Sequence, residues 1–544
     1  MIFEIEPIST LARPAKRRFA PLLLGAAAAI CASATASAET LMDAVDAAYA
    51  NNPTLVEQRY RQKGANENYV QARGEYGPSL SLEATGTYDY KRLNGRERDS
   101  KTGDAFLTLQ QSVYSGGRHR GQLAQARANV SSSQEALRRT EGEVVRDVIN
   151  AYAAVLRDQQ RLQVSTENVV VLRDQLGERR ARRKVRDATI TDVAQADARL
   201  ASGEAQLANA QSQLAISRGE YLRIVGHEPG ELAPLPELPG LPGSIDEAFT
   251  TADSENANLA AARYSEEASR ANIVAQRGNQ RPSASISAEA GKSGDLSRIN
   301  LRDYETQVTA RLTITQPLFQ AGQIRSRIRQ AQDQNNAAQA VVDAERRQAL
   351  QDVVIAWNQL ASARVAVVSG SRQVEATQIA FAGMQREERY GLRSTIEVLN
   401  AEQELASAQL TLLSSRYTEY LARATLLLAM GRLDARTVNS AIPARDPDAE
   451  FKKVRWRGMT PVEPVAMLLD HVGSANLNAK RKPDLRGRNQ PKPTGSPPLP
   501  ATPGKAYTEA PLVPITQSPL VPADELPATV RDYETPRSSG GSPR

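Results

Sequence analysis

Cysteine, histidine and aromatic residues are scarce in this 544-residue chain. The sequence contains one cysteine, three histidines and two tryptophans, and aromatic residues make up 5% of it. A single cysteine excludes an intramolecular disulfide. His119, His227 and His471 are scattered without the spacing of metal ligands, and no nucleophile is accompanied by a base and an orienting group. The sequence therefore predicts no catalytic site, no metal site and no cofactor-binding site.

A long apolar run is also missing after the first 38 residues, so we expect no transmembrane helix there. Within residues 1–38, basic residues precede an apolar stretch at 19–32, and small residues follow at 36–38. This pattern predicts a signal peptide over residues 1–38. The alternative is a lipid on Cys31, but Ile30 stands where a small residue would be expected. An exported protein without membrane helices could cross a membrane only with strands.

No concentrated basic surface is visible in the sequence either. The formal net charge of +6 arises from 68 Lys and Arg residues against 62 Asp and Glu residues, and the basic residues are scattered among the acidic ones. Nucleic-acid binding would require a basic face with interleaved aromatic residues. We therefore expect no nucleic-acid partner.

Internal repetition is what the chain has in abundance. The segment 107–117 returns as 312–322, and Gly226 returns as Gly431, both at an offset of 205 residues. A duplication of this length indicates two copies of one structural unit. We predict a first repeat at 39–231, a second repeat at 244–435 and a C-terminal tail at 436–544.

Each repeat contains a pair of segments in which apolar and polar residues alternate. Leu80 and Leu82 alternate with Ser81 and Glu83, and the pattern predicts strands at about 80–90, 105–114, 283–291 and 306–319. Polar loops are expected between the strands, at 91–104 and 292–303. An ordinary soluble hairpin would show the same alternation. Four strands cannot close a pore, so a transmembrane barrel would require oligomerisation.

A proline-free helical stretch with a heptad stripe follows each predicted hairpin. The pattern predicts long helices at 118–185 and 323–390 and return helices at 190–225 and 395–430. A helix of that length would extend about 100 Å. The predicted fold is therefore mixed α and β, and mainly α. A periplasmic coiled-coil structural protein without a pore is the alternative.

The two predicted turns resemble those of the TolC family of outer-membrane efflux and secretion channels. Segment 390–401 (YGLRSTIEVLNA) and segment 188–196 (ATITDVAQA) are similar to the helical-tip signatures of that family, and the resemblance covers nearly all of residues 39–436. Arg186 departs from the glycine usual in the first turn. Glu397 and Asn400 stand where many members have two aspartates, so a doubly acidic constriction is not expected.

The resemblance implies a homotrimer in which three chains form one 12-stranded β-barrel in the outer membrane of a Gram-negative bacterium. An α-helical coiled-coil barrel would then continue into the periplasm. The implied partners are outer-membrane lipid, a periplasmic adaptor protein and an inner-membrane pump of the ABC or RND type. The exported substrate, a secreted protein or small toxic compounds, stays open.

The resemblance also assigns roles to residues at the predicted turns. The adaptor-docking tips would be Arg186, Asp187, Ala188, Thr189, Gly391, Leu392 and Ser394. The periplasmic gate would be formed by Thr191, Asp192, Arg393, Glu397 and Asn400. A run of basic residues over 179–186 adjoins the first turn, as either a solvated helix end or part of the docking surface.

The tail differs in composition from the repeats. From about residue 476 it is dense in proline, and such a sequence buries too little apolar surface to fold alone. We predict that this part is disordered.

Overall fold

A computed structural model describes residues 38–296, 304–439, 446–473 and 498–500 of the chain. The predicted signal peptide, apart from Ala38, and most of the proline-rich tail lie outside the described residues, so both predictions stay untested. The first repeat contains α1 (Leu41–Asn51), α2 (Pro53–Gly74), β1 (Pro78–Leu93), β2 (Arg96–Tyr114), α3 (Arg118–Lys184) and α4 (Ile190–Val225). The second repeat contains α5 (Ile245–Glu255), α6 (Ala257–Gly278), β3 (Ser283–Asp295), β4 (Glu305–Thr315), α7 (Gln323–Arg389) and α8 (Thr395–Met430). In the described part of the tail, three short helices follow, namely α9 (Ala435–Val438), α10 (Pro447–Val454) and α11 (Glu463–Gly473).

The helices follow the predicted pattern closely. α4 and α8 have the predicted bounds, and the 67-residue helices α3 and α7 each end one residue earlier than predicted. Local sequence explains these bounds. Gly117 and Gly322 adopt left-handed conformations immediately before the long helices, and Gly226 and Gly431 do so immediately after the return helices.

The four strands form one antiparallel sheet in the order β1-β2-β3-β4. The predicted loop at 91–104 is wrong, because β1 continues to Leu93 and β2 begins at Arg96. Asn94 and Gly95 both have positive φ and close this hairpin, as Asn-Gly pairs commonly do. β3 likewise continues to Asp295. β4 ends at Thr315 rather than at the predicted residue 319, since Pro317 cannot donate a ladder hydrogen bond.

The main hydrophobic core lies midway along the long helices, where both repeats meet α1 and α5. Tyr152 and Trp357, which stand at equivalent positions of the two repeats, are both buried there. The Tyr152 hydroxyl lies 2.8 Å from the carbonyl oxygen of Glu39 and 2.7 Å from that of Ala233. The duplication is visible in the packing, because Asn52 donates to the Ile224 carbonyl and Asn256 to the Ala429 carbonyl, both at 3.0 Å.

One described helix, α7, is long and apolar enough by composition to cross a membrane. The expectation that no such stretch follows residue 38 is therefore wrong. Half of the apolar window in α7 is buried within the protein. Since Trp357 and Leu360 of α7 belong to the core, packing between helices accounts for this apolar composition.

Part of the C-terminal tail is folded against the repeats. α10 packs on α2, and α11 packs on β2 and α3. Farther along, Leu499 packs against the main core, and the Arg364 guanidinium donates to the Pro500 carbonyl at 2.8 Å. The tail sequence alone did not indicate these contacts.

Candidate functional site

The sheet has one apolar face and one polar face. Strand register places Leu80 beside Leu109 and Leu82 beside Leu107, and across the sheet Ile286 lies beside Leu312. These side chains, with Val308 and Ile314, are exposed and form the apolar face. The other face carries mainly polar residues, as in the row Ser81, Thr108, Glu289 and Thr309. The predicted alternation is therefore confirmed over all four strands.

The two turns between the long and return helices have the same backbone geometry. Arg186 and Gly391 both adopt left-handed conformations, with φ of 66° and 73°. Asp187 N–H donates to the Arg182 carbonyl at 2.9 Å, and Leu392 N–H donates to the Glu387 carbonyl at the same distance. Arg186 thus forms the turn in place of glycine, at a cost of about 1 kcal/mol because its Cβ is crowded in this conformation.

Apolar side chains protrude from both turns. Val185 and Ile190 are exposed in the first turn, and Tyr390 and Leu392 are exposed in the second. Arg186, Asp187, Thr189, Gly391 and Ser394 lie beside them on the exposed part of the turns, together with the half-buried Ala188. All the residues predicted as docking tips therefore lie at these two turns.

Among the predicted gate residues, the two acidic side chains close capping boxes. Asp192 accepts hydrogen bonds from the backbone N–H and hydroxyl of Thr189, both at 2.8 Å, and these bonds lower the pKa of Asp192. Glu397 accepts from the Ser394 N–H at 2.9 Å and from its hydroxyl at 2.7 Å. These bonds, with that from Arg393, lower the pKa of Glu397 to about 2. Both carboxylates are therefore ionised at neutral pH.

Arg393 is held by acidic residues of its own turn. Its guanidinium lies 2.7 Å from Glu387 and 3.0 Å from Glu397. Asn400, one helical turn farther along α8, accepts a hydrogen bond from Arg199 of α4 at 2.8 Å. Thr191 is exposed at the start of α4. Of the predicted gate residues, Arg393 and Glu397 are thus paired with each other, whereas Asp192 is hydrogen-bonded to Thr189 in the other turn.

Three contacts that join the two hairpins of helices were missed by the sequence analysis. Arg179, in the basic run, is buried and forms an ion pair with Glu388 of α7, whose side chain is 9% exposed. Gln175 donates to Glu402 of α8 at 2.7 Å, and Arg199 donates to Asn400. A signal was present, because Arg179 follows Leu172 and Leu176 at heptad spacing, and a charge on an apolar stripe indicates a buried pair.

Other members of the basic run are paired at the surface. Arg180 lies 3.1 Å from Asp197, with both side chains exposed, and Arg182 lies 2.5 Å from Glu178. The run is therefore divided between a buried ion pair and solvated surface pairs.

Burial of Glu402 changes its acidity. The side chain is 1% exposed, and loss of solvation raises the pKa of its carboxyl to about 7, against the opposing effect of the Gln175 hydrogen bond. Among the residues that the structure describes, no group of three or more His, Cys, Asp or Glu side chains is arranged to hold a metal ion.

Comparison with known proteins identifies the family. The sequence profile described as "Outer membrane efflux protein" matches residues 44–227 and 249–432, one segment in each repeat. The outer membrane efflux protein BepC of Brucella suis is 28% identical over 427 residues, covering 78% of this chain and 92% of the relative. The outer membrane protein TolC of Salmonella enteritidis is 25% identical over 442 residues, covering 78% of this chain and 89% of the relative.

A solved structure shows the same fold. The CmeC outer membrane channel of Campylobacter jejuni superposes with a TM-score of 0.67 at 14% identity, over 76% of this chain and 89% of that one. The predicted fold class and outer-membrane location are thus confirmed, and the family is one of transport channels rather than enzymes. The duplicated match to the family profile, together with the TolC-like fold, shows that this chain belongs to the outer membrane efflux protein family.

Proposed function

We propose that this protein is the outer-membrane channel of a tripartite export system, which passes substrates from the periplasmic side to the outside of the cell. The observation that carries the proposal is the two-faced sheet, from which the long helices continue directly. A strand with an apolar face toward lipid and a polar face toward a lumen is what a transmembrane barrel requires. Family membership supports this function and does not support the alternative of a structural coiled-coil protein.

The sheet of one chain must be completed by neighbouring chains. β1 and β4 lie at its two ends, and strand edges inside a membrane would leave backbone groups without hydrogen bonds. Three copies related by a threefold axis would pair each β1 with a neighbouring β4 and close a 12-stranded barrel. The protein would therefore act as a homotrimer, with a lumen lined by the polar face.

The helical turns are suited to docking a periplasmic adaptor, which would couple the channel to an inner-membrane pump of the ABC or RND type. Leu392 and Tyr390 are exposed apolar side chains at the tip. Gly391 lies between them and has no side chain, so the backbone of the second turn is open to a partner. Arg186 to Thr189 would contribute the first turn, and Ser394 would flank the second. The polar and small residues of the turns would let adaptor backbone approach closely.

The gate would be formed where neighbouring copies bring their turns together. Asp192 and Glu397 are held ionised by their capping boxes, and Arg393 is held near the second turn by two carboxylates. In a trimer these charges, with Thr191 and Asn400, could pair across chains and favour the closed state. Adaptor binding would open the gate by stabilising the other state.

Single-channel recording in planar bilayers tests both the channel and the gate. The double variant Asp192→Ala, Arg393→Ser should conduct more than the wild-type trimer because charge pairs between copies are lost. A matched control is Asp197→Ala, Arg180→Ser, which removes an exposed ion pair between α3 and α4, the hairpin of helices that carries Asp192. Unchanged conductance of intact gate-variant trimers would contradict the gate assignment. No conductance from any inserted trimer would refute the channel itself.

A further inference from the structure

Helix α11 is amphipathic in the opposite sense to a surface helix of a soluble protein. Its buried residues are Glu463, Ala466 and Asp470, whereas Val465, Leu468, Leu469 and Val472 are 57%, 63%, 45% and 70% exposed. A surface helix in water normally turns its apolar side inward. α11 turns two carboxylates inward and four aliphatic side chains outward.

The buried carboxylates fix this orientation. Glu463 forms an ion pair with Arg73, at 3.0 Å between Oε2 and Nε, and both side chains are 2% exposed. Asp470 accepts hydrogen bonds from the N–H of Ser115 at 3.0 Å, from its hydroxyl at 2.9 Å and from the N–H of Gly117 at 2.9 Å. Rotation of α11 to cover its aliphatic side chains would leave buried charges without partners, which is strongly unfavourable.

These contacts place α11 where the strands give way to the helices. Ser115 directly follows β2, and Gly117 directly precedes α3. At the other strand of the hairpin, a Cβ on Gly77, next to the start of β1, would lie 3.2 Å from Oε1 of Glu463. α11 therefore lies at the helix-side end of the barrel strands, which in the proposed orientation is the periplasmic boundary of the outer membrane.

The segment before α11 adds the residues of a membrane–water interface. Trp456 and Val462 are exposed, and the Arg455 guanidinium lies 5.2 Å from the Trp456 ring. Lys452, Lys453 and Arg457 are exposed nearby. Tryptophan and basic residues beside an aliphatic surface are typical of segments that bind the headgroup region of a bilayer.

We propose that Trp456, Val462, Val465, Leu468, Leu469 and Val472, here called the apolar patch, bind phospholipid in the periplasmic leaflet of the outer membrane. The acyl chains would cover the aliphatic side chains, and the basic residues would attract the phosphate groups. α11 packs on β2 and also lies beside Gly77 at the start of β1, where a second copy would join, so coverage of the patch by a second copy is an outcome that the tests below distinguish. The proposal rests on the barrel proposed above and adds a second lipid contact outside it.

The two tryptophans of the chain provide a direct test. The trimer is reconstituted into vesicles of phosphatidylethanolamine and phosphatidylglycerol that contain phospholipid brominated on its acyl chains, which quenches nearby tryptophan. Trp456 should be quenched, whereas Trp357 is buried in the protein core and should not be. Trp456→Phe should therefore abolish the quenching. Equal quenching of the wild type and of Trp456→Phe would overturn the proposal.

Labelled cysteine variants separate the patch from the barrel. Leu468→Cys and Leu312→Cys, each carrying an environment-sensitive dye in a Cys31→Ser background, should both be quenched by the brominated lipid. Quenching at 312 without quenching at 468 would overturn the lipid patch and leave the barrel intact. A blue-shifted but unquenched dye at 468 would indicate that a second copy covers the patch, and this also overturns it. Quenching at neither position would refute both the patch and the barrel.

Discussion

Replacing Glu402 with glutamine should stabilise the packing between the two hairpins of helices, and the effect should grow with pH. Glu402 Oε2 accepts from Gln175 at 2.7 Å, and a glutamine oxygen would keep this bond. The other oxygen, Oε1, is buried and has no hydrogen-bond partner among the described residues. The substitution therefore removes a buried charge while preserving shape and the one observed contact.

The size of the effect follows from the acidity of the group. Burial raises the pKa of Glu402 from 4.5 to about 7, so the folded protein holds the proton more tightly than the unfolded chain. Stability is then greatest below the unfolded value and is lost as pH rises from about 4.5 to about 7. By linkage, the free energy of unfolding is lower than its value at acidic pH by about 1.4 kcal/mol at about pH 5.5 and by about 3 kcal/mol at about pH 8. Between these two pH values the free energy of unfolding of the wild type should fall by about 2 kcal/mol per chain, whereas that of Glu402→Gln should not show this fall.

Hydrogen exchange measured by mass spectrometry can follow this change in α8. The opening equilibrium of α8 amides in the wild type should rise about 30-fold between about pH 5.5 and about pH 8, after correction for intrinsic exchange rates. The Glu402→Gln variant should lack this rise. Glu404→Gln, two residues along on the exposed side of α8, is the matched control and should behave as the wild type. An identical pH dependence in Glu402→Gln and wild type would refute the reasoning.

Three further predictions test the sheet, the buried ion pair and the tips. Leu312→Arg places a charge on the apolar face and should destabilise the barrel by about 2 to 4 kcal/mol near the membrane midplane, so that fewer heat-dissociable trimers are recovered from the outer membrane. Thr313→Arg should have only a mild effect on trimer yield, and equal yields from the two variants would contradict the assignment of faces. Arg179→Ala leaves Glu388 buried without its partner and should destabilise the helical part by about 3 to 5 kcal/mol in thermal unfolding followed by circular dichroism, whereas Arg180→Ala should not. Gly391→Phe adds a bulky side chain at the tip and should abolish export while the trimers stay intact, whereas Gly177→Phe, at an exposed and open position of α3, should leave export unchanged. Normal export by the Gly391 variant at normal abundance would count against docking at this turn.

The duplication, the class of each element and most helix ends could be predicted from the amino-acid sequence. These features depend on short-range patterns, since a capping box joins residues three positions apart, as Thr189 and Asp192 are, and a heptad stripe repeats every seven residues. The alternation of Leu80 and Leu82 with polar residues likewise assigned the two faces of the sheet. Strand ends were predicted less well, because the ladder from Lys91 to Asp104 continues through polar residues that have no local strand signal.

The burial of particular charges, and the identity of their partners, depends on contacts between segments that are far apart in the sequence. Gln175 and Glu402 are 227 residues apart, and Ser115 and Asp470 are 355 residues apart, so no local pattern could pair them. For the same reason the sequence could not show that α11 faces outward with its aliphatic side chains. That orientation is set by the contacts of two buried carboxylates: Glu463 pairs with Arg73, and Asp470 accepts hydrogen bonds from Ser115 and Gly117. A buried charge without such partners would be strongly destabilising.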